Sequence, residues 1–172
     1  MSEAAGARPV IRIVDGVARV VEDAWAVVED GTEWDGSAYR LLPLRQALER
    51  SQQLRAAAPV GVWLAPNDEP AEAVALFDSI AMIGVRFPKS GDGRGFSTAS
   101  LLRSRHGWRG GLRALDDVLQ DQLFFMRRVG FDSFALRADR DPQQALRAFS
   151  TFSDSYQGAS TPDLPHYRRA GV

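Results

Sequence analysis

Residues 82–105 read MIGVRFPKSGDGRGFSTASLLRSR and contain the clearest strand-to-helix transition in the chain. The apolar run Met82–Phe87 predicts a buried strand, which Pro88 ends because proline lacks the N–H that a strand ladder needs. A helix is then predicted to start at Ser97 or Thr98, since their hydroxyls are good N-caps. This stretch therefore predicts one strand-plus-helix unit.

The loop inside this unit predicts an anion site. Its glycines can adopt backbone shapes that other residues avoid, and they are Gly91, Gly93 and Gly95. Lys89 and Arg94 are cationic and lie close to the predicted helix start, where free N–H groups favour anions. The spacing matches neither the P-loop nor the GxGxxG pattern, so a plain turn stays open as the alternative. The predicted ligand-binding residues are Lys89, Asp92, Gly93, Arg94, Gly95, Ser97 and Arg137.

Strands and helices alternate four times beyond Pro59. The predicted strands are VGVWLA from Val60, MIGVRF from Met82, LRAL from Leu112 and FDSFAL from Phe131. Helices are predicted over 70–80, 97–106 and 118–129, and from Pro142 onward. This alternation predicts an α/β fold with a parallel sheet, which is either half-barrel-like, as in a TIM barrel, or small and doubly wound.

The N-terminal part has a different pattern. VIRIV and VARVV flank Asp15-Gly16, which predicts a β-hairpin, and leucines from Leu44 onward predict a bridging helix to Ala57. We expect a hairpin element with its bridging helix over 1–58, an α/β domain over 59–156 and an extended tail over 157–172, in one compact domain overall.

Composition excludes several classes of function. The 172 residues carry a formal net charge of -1, which argues against general nucleic-acid binding. There are no cysteines, so disulfides, thiol catalysis and cysteine-held metal clusters are excluded. No apolar run reaches the roughly 20 residues that cross a bilayer, and the polar N-terminus is unlike a signal peptide. We expect a cytoplasmic protein without a membrane partner.

The carboxyl ends of the predicted strands collect charged residues, as ligand sites in α/β proteins do. Asp92, Asp116 and Asp117 are the candidate catalytic acids or bases, although Asp116 is also a suitable helix N-cap. The two histidines, His106 and His166, lack a metal-binding spacing, so no metal site is predicted. The aromatic residues fit a buried core better than a flavin or nucleotide site, and the cofactor is left open.

The helix predicted over Val118–Val129 has more apolar residues than one face can bury. Phe124 and Phe125 are adjacent and point in different directions, so one of them is available to a neighbouring element or to a second subunit. A half-barrel also leaves open sheet edges that a second copy could cover. We therefore expect a homodimer.

Three motifs resemble those of a bacterial family known as domain of unknown function 934. They are FPKSGDGRGFS at Phe87–Ser97, LRALDDVLQDQL at Leu112–Leu123 and GFDSF at Gly130–Phe134. Members of that family are encoded beside assimilatory sulfite reductase and are described as oxidoreductases. The resemblance thus implies a role in bacterial sulfur assimilation.

The resemblance leaves two functions open. In the first, the chain is an accessory protein of sulfite reduction, with the sulfite reductase hemoprotein as its partner and an anion-binding edge. In the second, it is an oxidoreductase or a cofactor-binding protein that uses the Lys89 and Arg94 loop for a small anion or a nucleotide. The residues themselves carry no dinucleotide fingerprint, which favours the accessory role.

Overall fold

Eight strands form a single sheet in the computed structural model, which describes residues 8–56, 59–89, 91–147 and 149. The strands are β1 Val10–Val14, β2 Val17–Val21, β3 Ala26–Val27, β4 Arg40–Pro43, β5 Gly61–Leu64, β6 Met82–Phe87, β7 Gly111–Asp116 and β8 Ser133–Phe134. Their order across the sheet is β2-β1-β8-β7-β6-β5-β4-β3.

The six strands β3 to β8 lie side by side in chain order and are all parallel. That order is typical of a barrel, whereas a doubly wound sheet reverses its order at an internal strand. The α/β class and the half-barrel form are confirmed, and the doubly wound alternative is wrong. The purely parallel sheet is also corrected, because β1 pairs antiparallel with both β8 and β2.

The short link between β2 and β3 shows that the sheet is strongly curled. These strands lie at opposite edges of the sheet, yet only residues 22–25 connect them. A flat sheet of eight strands would hold its edges about 34 Å apart, given a spacing of about 4.8 Å between neighbours. The link can span at most about 18 Å. The two edges therefore approach each other, as in a half-barrel.

The N-terminal hairpin and β6 agree closely with the predictions from the sequence. β1 and β2 are joined at Asp15 and Gly16, with φ angles of 51° and 79°, as a tight two-residue turn requires. β6 has the predicted bounds, Met82–Phe87. The short strand β4 was missed, because its four residues end in proline and directly precede a helix.

The helical segments are shorter than predicted, except the one that begins at Arg94. They are α1 Leu44–Glu49, α2 Ser51–Leu54, α3 Arg94–Ser100, α4 Leu123–Val129 and α5 142–147. The segment predicted as a helix from Pro70 is a 3₁₀ helix, Pro70–Leu76, and a second 3₁₀ turn covers Gln120–Gln122. α3 continues as a π-helical turn over Leu101–Arg105. α4 ends at Gly130, whose φ of 118° provides the left-handed cap.

The helices pack on the convex face of the sheet. Alternate residues of each strand point toward them and are buried with their apolar residues. The strand residues in this core include Ile11, Leu42, Val62, Leu64, Ile83, Val85, Phe87, Leu112, Ala114 and Phe134. Because both faces of the central strands are covered, these strands read as continuous apolar runs.

The concave face encloses a smaller core and a buried ion pair. Leu41, Trp63, Met82 and Leu115 form the core. Beside it, Arg113 of β7 donates to both carboxylate oxygens of Asp23, at 2.6 and 2.8 Å, and to the Ser133 hydroxyl at 2.9 Å. Only 2% of Arg113 and 8% of Asp23 are exposed. The β2–β3 link is therefore held inside the curl of the sheet by charge-assisted hydrogen bonds.

Some predictions fall on residues outside the described part of the chain. They are the frayed N-terminus before Arg8, the end of the bridging helix at Ala57, and the tail over 157–172 with His166.

Candidate functional site

The loops after the parallel strands carry the residues that the sequence singled out. Asn67 and Asp68 follow β5, Lys89 to Arg94 follow β6, Asp116 and Asp117 lie at the end of β7, and Arg137 follows β8. Parallel strands present their carboxyl ends at one edge of the sheet. Hydrogen bonds among these loops define three clusters, centred on Arg94, Arg137 and Arg86.

The Arg94 cluster joins the loops after β5 and β6. The Arg94 Nε and Nη2 atoms donate to the Asp92 carboxylate, at distances between 2.6 and 3.1 Å. Nη1 donates to the side-chain oxygen of Asn67 at 2.6 Å. The Arg94 side chain is 57% exposed. The second N–H of each terminal nitrogen has no acceptor within the described part of the chain, so both are available to a ligand.

A groove of about 340 Å³ lies beside Arg94. Asn67, Asp68 and Glu69 form one wall, and Arg94 and Ser97 form the other. Asp68 is engaged in its own loop, where it accepts the Ala65 N–H at 2.7 Å. The groove thus offers guanidinium and hydroxyl donors from the helix side.

The helix beside this groove begins earlier than predicted. α3 starts at Arg94 with Gly93 as its N-cap, so Ser97 and Thr98 lie inside the helix and are not its caps. The Asp92 carboxylate accepts the Arg94 backbone N–H at 3.0 Å, which orders the chain just before the helix. Ser97 is exposed and lines the groove, whereas Thr98 is buried.

The loop glycines do not have the special backbone that the sequence suggested. None of Gly91, Gly93 and Gly95 has a positive φ. A Cβ at Gly95 would lie 2.5 Å from Cζ of Phe87, whereas Gly91 and Gly93 have open space at that position. Gly95 is therefore required by the close packing of α3 on β6, and not by backbone freedom.

The Arg137 cluster lies on the loops after β7 and β8. Arg137 donates to both oxygens of Asp139, at 2.9 and 2.6 Å, and to Asp117 at 3.1 Å. These hydrogen bonds raise the pKa of Arg137, with the bond to Asp139 contributing most. The cluster is exposed, so water screens its ion pairs.

Lys89 is exposed and forms no ion pair with the described residues. Its ammonium group is therefore a second positive charge on the loop that carries Arg94.

The Arg86 cluster was missed by the sequence predictions. Arg86 points from β6 and donates to both oxygens of Asp116, at 2.7 and 3.0 Å, and to both oxygens of Glu29, at 2.7 and 3.3 Å. Its guanidinium carbon lies 4.7 Å from the centre of a Trp63 ring. Arg86 is the only charged residue in an otherwise apolar strand, and this was the available signal.

Asp116 was also interpreted as a helix N-cap, and this is wrong. It is the last residue of β7, and no helix starts there, since the following 3₁₀ turn begins at Gln120. Its φ of 74° is unusual for a residue with a side chain. The carboxylate of Asp116 is instead bound by Arg86.

The paired carboxylates are poorly suited to proton transfer. Hydrogen bonds from the Arg94 side chain and backbone lower the pKa of Asp92 to about 2. A general base works best when its pKa is near the working pH, so Asp92 is a weak base at neutral pH. Asp116 and Asp117 are each bound by an arginine as well.

The described residues contain neither a cluster of metal-binding side chains nor a membrane-spanning helix. No group of three or more histidine, cysteine, aspartate or glutamate side chains there is placed to hold a metal ion. No helix in the same residues has the length and apolar character needed to span a membrane.

Comparison with known proteins leads to a family and no further. Neither the curated proteins nor the solved structures contain a match to this chain. A family profile described as "Bacterial protein of unknown function (DUF934)" matches residues 61–167, which include β5 to β8, the Arg94 groove and Asp116. The chain thus belongs to this bacterial family, DUF934.

Proposed function

We propose that this protein is a non-catalytic accessory protein of bacterial assimilatory sulfite reduction, which binds a small oxyanion in the Arg94 groove. The pathway is suggested by the resemblance of Phe87–Ser97, Leu112–Leu123 and Gly130–Phe134 to a family encoded beside sulfite reductase. The observation that carries the binding site is the geometry of Arg94.

The Arg94 side chain is held in one orientation and is also exposed to solvent. Asp92 and Asn67 hold its guanidinium in one orientation through Nε, Nη1 and Nη2. The second N–H of Nη1 and of Nη2 has no acceptor in the described residues, and a planar guanidinium can donate two N–H groups to one oxyanion. The Ser97 hydroxyl lines the same groove, and Lys89 adds a positive charge to the loop.

Binding is better supported than catalysis. Each candidate acid or base is already paired with an arginine: Asp92 with Arg94, Asp116 with Arg86, and Asp117 with Arg137. Each arginine thus occupies carboxylate oxygens that a proton-transfer step would need. The alternative function as an oxidoreductase therefore draws less support from this geometry than the accessory function does.

A pair of aromatic side chains on α3 and α4, one of them exposed, suits a protein partner. Phe125 of α4 is 53% exposed, and its ring centre lies 5.1 Å from that of Phe96 on α3. Large aromatic side chains are enriched at protein interfaces. We propose that the Phe96–Phe125 surface contacts the sulfite reductase hemoprotein, while self-association through the same helix stays a prediction.

Calorimetric titration with sulfite tests the groove. We expect Arg94→Ala to weaken sulfite binding about 10- to 100-fold, since a hydrogen bond to a charged group contributes about 1.5–3 kcal/mol. The affinity of Arg94→Lys for sulfite should lie between those of the wild type and Arg94→Ala, because lysine keeps the charge but loses the planar guanidinium. The thermal midpoint should change little, since Arg94 is exposed.

Arg109→Ala is the matched control. Arg109 is also exposed, but it precedes β7 and lies at the opposite end of the strands. Its replacement should leave sulfite binding unchanged. Equal affinities for wild type and Arg94→Ala, or no binding of sulfite by the wild type, would contradict the proposed site.

A further inference from the structure

The Arg86 cluster contains two carboxylates that bind one guanidinium from different sides. Asp116 occupies Nε and Nη2, and Glu29 occupies Nη1 and Nη2. Trp63 lies beside the guanidinium, at 4.7 Å from ring centre to Cζ. A planar guanidinium is well suited to bidentate binding of carboxylates and to stacking on an aromatic ring.

The two carboxylates differ in how firmly they are held. Asp116 is the last residue of β7 and pairs in register with Phe87, so its backbone belongs to the sheet. Its side chain is 31% exposed, whereas that of Glu29 is 62% exposed and lies on the loop after β3. Holding an exposed glutamate in one rotamer costs conformational entropy and yields little in water. Of the two carboxylates, that of Glu29 is therefore the more easily displaced from Arg86.

The backbone next to Glu29 is fixed independently of that ion pair. The Trp63 indole Nε1 donates to the carbonyl oxygen of Val28 at 2.8 Å, and the Val28 N–H donates to Leu41 at 2.9 Å. Release of the Glu29 side chain would thus leave the loop beside it in place. Trp63 thus holds the loop through its indole N–H and contacts the guanidinium through its ring.

We propose that Arg86, stacked on Trp63, is a second binding site, which takes a small carboxylate-like monoanion in the position now held by the Glu29 carboxylate. Glu29 acts as a built-in competitor for this site. An incoming anion adds negative charge beside Asp116 and the displaced Glu29, and a dianion adds twice as much, so the site favours monoanions. The site is separate from the Arg94 groove and does not rest on its function.

Formate is the probe, because it is the smallest carboxylate. It is titrated at constant ionic strength into the full chain, and the Arg86 Nε–H resonance is followed by NMR. Formate can bind only while the Glu29 carboxylate is away from Arg86, so the apparent affinity falls as Glu29 occupies the site for more of the time. Glu29→Gln removes the competing charge, so formate should bind this variant about three- to tenfold more tightly than the wild type.

Glu33→Gln is the matched control. Glu33 is an exposed glutamate on the same loop that pairs with Arg50 at 3.4 Å, so its loss should leave formate binding at Arg86 unchanged. Arg86→Lys in the Glu29→Gln background should abolish the gain, provided that its melting curve shows a folded protein. The proposal is overturned if Glu29→Gln binds formate no more tightly than Glu33→Gln does, or if the Arg86 resonance does not respond. Glu29 and Arg86 would then form a surface ion pair and no binding site.

Discussion

Replacement of Arg113 by methionine is expected to lower the free energy of unfolding by about 3–5 kcal/mol, because it leaves the buried Asp23 carboxylate without its partner. Arg113 supplies the only side-chain hydrogen bonds to that carboxylate that are seen in the described residues. For a chain of this size the thermal midpoint should fall by about 10 °C. Urea denaturation followed by circular dichroism measures the change.

The double variant Arg113→Met with Asp23→Leu separates the effect of the stranded Asp23 charge from the effect of lost packing around Arg113. Without either charge, the concave core can become apolar, and most of the lost stability should return. Arg109→Ala, at an exposed arginine, should shift stability by no more than about 0.5 kcal/mol. A double variant as unstable as Arg113→Met alone would show that the loss does not come from a stranded carboxylate.

Gly95→Ala is expected to destabilise the fold by about 1–3 kcal/mol, since overpacking a well-packed site typically costs this much. The added methyl group would overlap the ring of Phe87, which is itself fully buried on β6. The ring also packs against Phe96 and Phe131, at centre distances of 5.3 and 5.8 Å. It therefore has little room to move aside. Thermal and urea melts measure the change.

Gly91→Ala is the control for Gly95→Ala, because the two glycines lie in the same motif. Apart from Gly91 and its chain neighbours, no heavy atom in the described part of the chain lies within 4 Å of a Cβ built at Gly91. This variant should therefore stay within about 0.5 kcal/mol of the wild type. If both variants are equally destabilised, the motif would need glycine for its backbone and not for packing on Phe87.

The elements that the sequence predicted well are those with a strong local signal. The apolar run Met82–Phe87 ends at a proline and became β6, and Asp15-Gly16 formed the turn between two apolar segments. The α/β class followed from the alternation of strand and helix. These features depend on neighbours in the chain, which a sequence pattern shows directly.

The features that the sequence did not predict depend on distant residues. β1 pairs with β8 across more than a hundred residues, and Arg86 meets Glu29 at a separation of 57 residues. β3 has only two residues, so its parallel pairing with β4 has almost no local signature. The loop glycines were misinterpreted because a glycine that is needed for packing looks the same in sequence as one that is needed for a turn.

The candidate site was predicted only in outline. Asp92 and Arg137 do lie on strand-end loops, and Arg94 is the first residue of the helix after β6, because the carboxyl ends of parallel strands meet at one edge. Their pairing with neighbouring carboxylates could not be predicted, since it depends on side-chain distances between different loops. The arrangement of Arg86, Trp63 and Asp116 required the register of three adjacent strands.

The most direct test of the proposed accessory function is co-purification of the tagged, full-length protein from its host bacterium. We expect the sulfite reductase hemoprotein to elute with the wild type, identified by its mass and its heme absorbance. Phe125→Ser should lose it, while Val17→Ser, which changes a similarly exposed residue on the hairpin, should retain it. Elution of the wild-type protein without the hemoprotein, from cells that reduce sulfite normally, would contradict the account.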